Sequence, residues 1–118
     1  MSKNKHTGNK GETLATDYLL RKGYSLLHRN WRHKHWEIDI IVCKDNRLHF
    51  IEVKTRNSGL YGKPEESITR YKMSYLKKAA SMYLHLHPEW NRIQFDVIAI
   101  TLKEDLVEEI FMIEDMYF

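Results

Sequence analysis

The sequence predicts a mixed α/β domain in the order helix, three strands, helix, strand, with a further strand near the C-terminus. Three observations carry that expectation. Leu14, Ala15, Tyr18 and Leu19 form an apolar stripe at helical spacing, and Gly23 follows it, as glycine does just past a helix. The apolar runs on either side of Asp45-Asn46 alternate with period two, the pattern of strands joined by a tight turn. A second helical stripe, Ile68, Leu76, Ala79 and Tyr83, leads to Pro88 and then to the apolar run Ile93 to Thr101.

Taken in order, residues 1–7 read as a flexible tail and the first helix runs from about Asn9 to Lys22. The first three strands span Ser25 to Trp31, Glu37 to Lys44 and Arg47 to Thr55. The segment Asn57-Ser58-Gly59-Leu60-Tyr61-Gly62-Lys63-Pro64 is rich in punctuating residues and reads as a loop. The second helix follows from about Glu65 to His85. Strand four is Ile93 to Thr101, with one internal acid, Asp96, and Val107 to Ile113 completes the set.

Composition bounds the rest. A chain of 118 residues, 42% hydrophobic and 30% charged, suits a single domain over residues 1–118 around one core. Charges break every long apolar run, so no membrane span is expected. The basic start Met1-Ser2-Lys3-Asn4-Lys5-His6 has no apolar stretch behind it and is not a secretory signal. The single cysteine, Cys43, has no internal partner, which points to a reducing cytoplasm. A net charge of +3 permits nucleic-acid binding without demanding it.

Charges lie where the strands look most buried. Asp, Glu and Lys are depleted in strands, yet Glu37 and Asp39 interrupt one apolar run and Glu52 and Lys54 the next. A two-residue loop at Asp45-Asn46 pairs Lys44 with Arg47, which sets Asp39 opposite Glu52 and Glu37 opposite Lys54. Facing carboxylates repel and weaken a sheet; a divalent cation with oxygen ligands reverses the sign of that interaction. The alternative is a solvated sheet face, against which Ile41 and Phe50 share the face in question. A single bulge at the turn would undo the cross-strand pairing but leave the spacing within each strand.

Neighbouring segments add candidates. His28 to Trp36 concentrates basic residues and two tryptophans just before Asp39. Arg29, Arg32 and Lys34 suit phosphates, and Trp31 and Trp36 offer stacking surfaces for bases. The competing reading is a solvated basic loop that the tryptophans anchor to the core. Glu12 sits at the edge of the first helical stripe, either as a third acid of the site or as a first-turn acid favouring the helix dipole. Lys72 falls within the second apolar stripe, either snorkelling to its edge or facing the carboxylates or a phosphate. His33/His35 and His85/His87 lack metal-ligand spacing and read as surface histidines.

Two acids and a lysine on adjacent strands suit phosphodiester hydrolysis. A divalent cation on Asp39 and Glu52 activates water and offsets charge on the phosphate, and Lys54 positions that water or stabilises phosphoryl oxygens. Oxygen-only ligation favours magnesium, with manganese as the substitute. The chain offers no nucleophile scheme on Ser or Cys and no glycine-rich phosphate loop.

Asp39 followed by Glu52-x-Lys54 on the next strand resembles the signature of the PD-(D/E)XK nuclease superfamily. The resemblance narrows to the YraN-like family of small bacterial proteins, which are similar to archaeal Holliday junction resolvases. It rests on Gly8-x-x-Gly11-Glu12-x-x-Ala15, Gly23-Tyr24, Asn30, Glu37-Ile38-Asp39-Ile40-Ile41, Phe50-Ile51-Glu52-Val53-Lys54-Thr55-Arg56, Pro64, Lys72, Tyr83 and Phe95-Asp96-Val97-Ile98. It implies a restriction-endonuclease-like core, a mixed β-sheet flanked by helices. It further implies Asp39, Glu52 and Glu12 as metal ligands and Lys54 as the catalytic lysine. Glu37, Arg56 and Lys72 would be auxiliary or phosphate-binding. The implied activity is a magnesium-dependent DNA endonuclease on branched or recombination intermediates, working as a homodimer. A non-catalytic nucleic-acid-binding protein is the alternative, and a protein-interaction module with a vestigial site a third. Trp36 stands where the family usually has glycine, and Gln94 where it usually has arginine.

Overall fold

In a computed structural model, residues 2–58 and 70–116 are described, with side chains in the N-terminal segment described from Asn9 onward. The chain forms α1 (Ser2–Arg21), β1 (Ser25–His33), β2 (Trp36–Lys44), β3 (Arg47–Asn57), α2 (Arg70–Leu86), β4 (Ile93–Lys103) and β5 (Leu106–Ile113). The strands make one sheet in the order β1-β2-β3-β4-β5. Only β3 and β4, joined through α2, run parallel; the other neighbours are antiparallel. The expected element order is therefore observed, fifth strand included.

Several bounds move, for physical reasons. α1 starts at Ser2 rather than near Asn9, whose carbonyl accepts the Thr13 hydroxyl four residues on, as an interior helical carbonyl can. The basic segment is a hairpin rather than a loop: His33 pairs with Trp36 around a turn in which Lys34 takes a φ of 56°. β3 continues past Thr55 because β4 offers it partners as far as Leu102 opposite Asn57. Loop positions 59–64 and the expected start of the second helix at Glu65, with Pro64 and Ile68, lie outside the described residues.

Each face of the sheet carries one helix. Ala15 and Leu19 of α1 pack with Ile40, Val42, Ile51, Ile98 and Ile100 on one side. Met73, Leu76, Ala80 and Tyr83 of α2 pack with Ile38, Ile41, Leu48, Phe50 and Val97 on the other. A sheet buried on both faces explains why β2, β3 and β4 read as nearly continuous apolar runs. Gly23, with a φ of 91°, ends α1, and the amides of Gly23 and Tyr24 bond back to the carbonyls of Leu20 and Leu19. The C-terminal run covers this chain's own core: Ile110 and Met112 pack on the α1 side, Ile113 and Met116 on the α2 side. Among the described residues no helix is long and apolar enough to cross a membrane.

The alternation of β2 is interrupted at one place. Ile40 and Val42 face α1 and Ile41 faces α2, so period two would send Ile38 toward α1; it packs on the α2 side instead. Asp39 sits at the interruption. β1 breaks step beside it, at Asn30, which has a φ of 56° and lies between the pairs Arg29–Ile40 and Trp31–Ile38. Arg29 reaches α1, donating to Thr13 Oγ1 at 2.7 Å, whereas Trp31 meets Tyr83 of α2 edge-on.

Candidate functional site

The β2–β3 hairpin follows the register expected from its turn. Asp45 and Asn46 have φ values of 53° and 63°, as a two-residue hairpin loop requires. Pairing runs from Lys44–Arg47 to Ile40–Ile51 and stops one residue short of Asp39 and Glu52. There the Asp39 side chain replaces a strand partner, its Oδ2 accepting the Val53 amide at 2.9 Å. Glu37 turns to Arg32 on β1, at 3.2 Å, rather than to Lys54 across the hairpin. The interrupted alternation thus re-aims Asp39 into the gap where β2 leaves β3, as irregularities beside functional sites do.

Glu52 extends the β3 row of Leu48 and Phe50 on the α2 side, and it is only 7% exposed. Two ammonium groups approach it: Lys72 Nζ of α2 at 3.5 Å and Lys54 Nζ at 4.0 Å. Burial, and then the neighbouring Asp39 charge, push the Glu52 carboxyl up to about 7 despite those lysines. Burial also raises Asp39, opposed by the Val53 hydrogen bond and by Lys72. Two carboxyls that resist ionising, held together beside two cations, form a site poised for a positive ligand.

Glu12 joins from the α1 side. Helix and sheet approach so closely that a Cβ on Gly11 would overlap Thr55 Oγ1, so glycine sets how near α1 lies to β3. Asn30 hydrogen-bonds the Glu12 carboxylate, and burial followed by Asp39 raises its pKa. Glu12 Oε1 is buried without a hydrogen-bond partner. Buried polar atoms are seldom left so.

Among the described residues no three His, Cys, Asp or Glu side chains form a ready-made metal cage. Magnesium requires less, since it keeps several waters and takes one or two carboxylates. The mutually repelling pair Asp39 and Glu52, with the orphaned Glu12 oxygen close enough to feel Asp39, fits an oxygen-ligated divalent cation.

Tertiary structure gathers Asp39, Glu52, Lys54 and Lys72, with Glu12 adjoining. Arg56 follows Lys54 on β3, half-buried. The basic and aromatic set is divided. Arg29 is tied to α1, Arg32 is paired with Glu37 and Lys34 is exposed at the hairpin turn. Trp31 and Trp36 both pack on the α2 side, as anchors of the hairpin. The roles of two residues escaped sequence reasoning. Asn30 was legible in principle, because asparagine tolerates a positive φ that other residues in a strand avoid. Tyr75, which meets Trp36 at 5.1 Å between ring centroids, carries no such local signal.

The chain is similar to known proteins over most of its length. A family model described as "Uncharacterised protein family UPF0102" matches residues 11–100. The chain is 43% identical over 102 residues to a UPF0102 protein of Syntrophomonas wolfei, covering 86% of this chain and 89% of that one. It is 41% identical to a UPF0102 protein of Chloroherpeton thalassium, covering 99% and 97%, and 41% identical to one of Natranaerobius thermophilus, covering 97% and 98%.

Proposed function

We propose that this chain, which belongs to the uncharacterised protein family UPF0102, the YraN-like family its sequence resembles, is a divalent-cation-dependent DNA endonuclease with a restriction-endonuclease-like core. The observation that carries the reading is the convergence of Asp39, Glu52, Lys54 and Lys72, with Glu52 buried and its carboxyl raised to about 7. Packing alone has no use for two repelling acids side by side in a largely buried site.

Asp39 and Glu52 would hold magnesium or manganese, with Glu12 adjoining, and the bound ion would supply charge neutralisation and an acidified water. The Val53 amide fixes the Asp39 carboxylate in one orientation. Lys54 orients the attacking water or neutralises a phosphoryl oxygen. Lys72 and Arg56 attract the flanking phosphates, and Glu37, paired with Arg32, serves at the margin. The substrate would be DNA in the cytoplasm, branched or in recombination. Cutting two opposed strands takes two sites, hence a symmetric dimer.

The test is cleavage of labelled single-stranded, duplex, flap and four-way-junction DNA with magnesium or manganese. Asp39→Ala and Glu52→Ala proteins serve as contamination controls. Cation-dependent cutting by wild type alone is the expected result. Equal cutting by the variants, or none by any protein, sinks the reading. Binding without cutting would establish the second reading, a non-catalytic DNA-binding protein, which draws on the lack of a third acid close enough to complete a cage among the described residues.

A further inference from the structure

Helix α2 carries a second aromatic stripe outside the core. Tyr71 lies three and four residues before Ser74 and Tyr75, which lie four and three before Lys78, on a face beside the buried row of Met73, Leu76 and Ala80. A surface helix ordinarily presents charged and polar residues there. Here Tyr71 is 80% exposed, and with His35 and Trp36 of the β1–β2 hairpin these residues line a recess of about 250 Å³.

The rings form an open wedge. Trp36 and Tyr75 lie 5.1 Å apart with their planes 48° from parallel, and His35 and Trp36 lie 4.3 Å apart at 39°. The Tyr75 hydroxyl donates to the His35 carbonyl at 2.9 Å, which holds that ring against the hairpin before any ligand arrives. Lys78 is the cation that lines the recess, and described α2 contains Arg70, Lys72 and Lys77 besides and no acid. Lys72 of the same helix reaches Glu52.

We infer that this recess takes an unpaired nucleobase of single-stranded DNA against its aromatic lining of Trp36, Tyr71 and Tyr75, with an adjacent phosphate on Lys78. The inference rests on the nuclease reading of the neighbouring carboxylates and sharpens its substrate to DNA with unpaired bases. An aromatic-lined recess with a lysine at its wall matches the two parts of a nucleotide, a π-face and a phosphate. Base-paired nucleotides present no free face to such a shelf, so duplex DNA is excluded from it.

The experiment uses the full chain in EDTA, where cleavage is silent, and anisotropy titrations at low salt. The probes are a labelled single strand, the same strand with abasic sites in place of its bases, and a duplex of equal length. Wild type should bind the base-bearing strand roughly 5- to 150-fold more tightly than the abasic one, the range of a single base–aromatic stack. Tyr71→Ala, at an exposed position that folding does not need, and Trp36→Leu should each narrow that ratio. A ratio near one, or a ratio unchanged in both variants, overturns the inference and leaves the nuclease reading standing. Failure to bind any of the three DNAs also overturns the inference, and the cleavage assay with magnesium or manganese decides the nuclease reading separately.

Discussion

Replacing Glu52 with glutamine isolates the electrostatic cost of the carboxylate site. Glu52 is 7% exposed and its pKa is pushed from 4.5 to about 7 in the folded chain, first by burial and then by Asp39. A raised acid pKa means that the folded state holds the proton more tightly than the unfolded state. Without cation, stability therefore falls as pH rises from about 4.5 to about 7 and is level above that. The shift corresponds to about 3 kcal/mol at pH 8, recovered when an uncharged amide replaces the carboxylate. For a chain of this size that is roughly a ten-degree rise in melting temperature. The assay is thermal denaturation followed by circular dichroism in EDTA, at pH 5 and pH 8, for wild type and Glu52→Gln. The two proteins should nearly coincide at pH 5, with the variant more stable at pH 8. Magnesium or manganese should then stabilise wild type at pH 8 and leave the variant largely unmoved. A variant that matches wild type at both pH values, or melts below it at pH 8, refutes the claim that this buried carboxylate is held against its own preference.

Three other substitutions probe the frame around the site. Gly11→Ala should cost about 1–3 kcal/mol by prying α1 from β3 at Thr55, and Thr55→Ala should partly restore the urea midpoint if that contact is the cause. Asp96→Ala should cost about 3 kcal/mol or more, since it strands His49 Nδ1, Gln94 Nε2 and the Asp115 amide. Faster hydrogen exchange at Asp115 than in wild type would locate that damage. Asn30→Val should cost about 1–2 kcal/mol for a β-branched residue at positive φ, while Asn30→Gly should cost less. Equal melting temperatures for those two variants would show that the left-handed turn in β1 is not maintained.

Much of the scaffold was legible because its determinants are local. Gly23 required no partner to end α1, and Asp45-Asn46 set the hairpin register by turn geometry alone. Period-two charges in apolar runs likewise singled out Asp39 and Glu52. The same alternation misled at Glu37, because it assumes an unbroken strand. Asn30 and Asp39 break step together, so Glu37 meets Arg32, and in place of the expected facing of Asp39 and Glu52 the Asp39 carboxylate accepts a hydrogen bond from the Val53 amide.

By itself the sequence determined the order of helices and strands, the hairpin register and the presence of charge inside buried strands, since each follows from periodicity or from the turn residues. Only the tertiary structure decided that Lys72 meets Glu52, that Gly11 nests against Thr55 with Glu12 beside it, and that Trp36 shares a recess with Tyr71 and Tyr75. These contacts join segments distant along the chain, and no local spacing encodes them. Their geometry comes from two helices packing on opposite faces of one sheet, where close packing sets the distances.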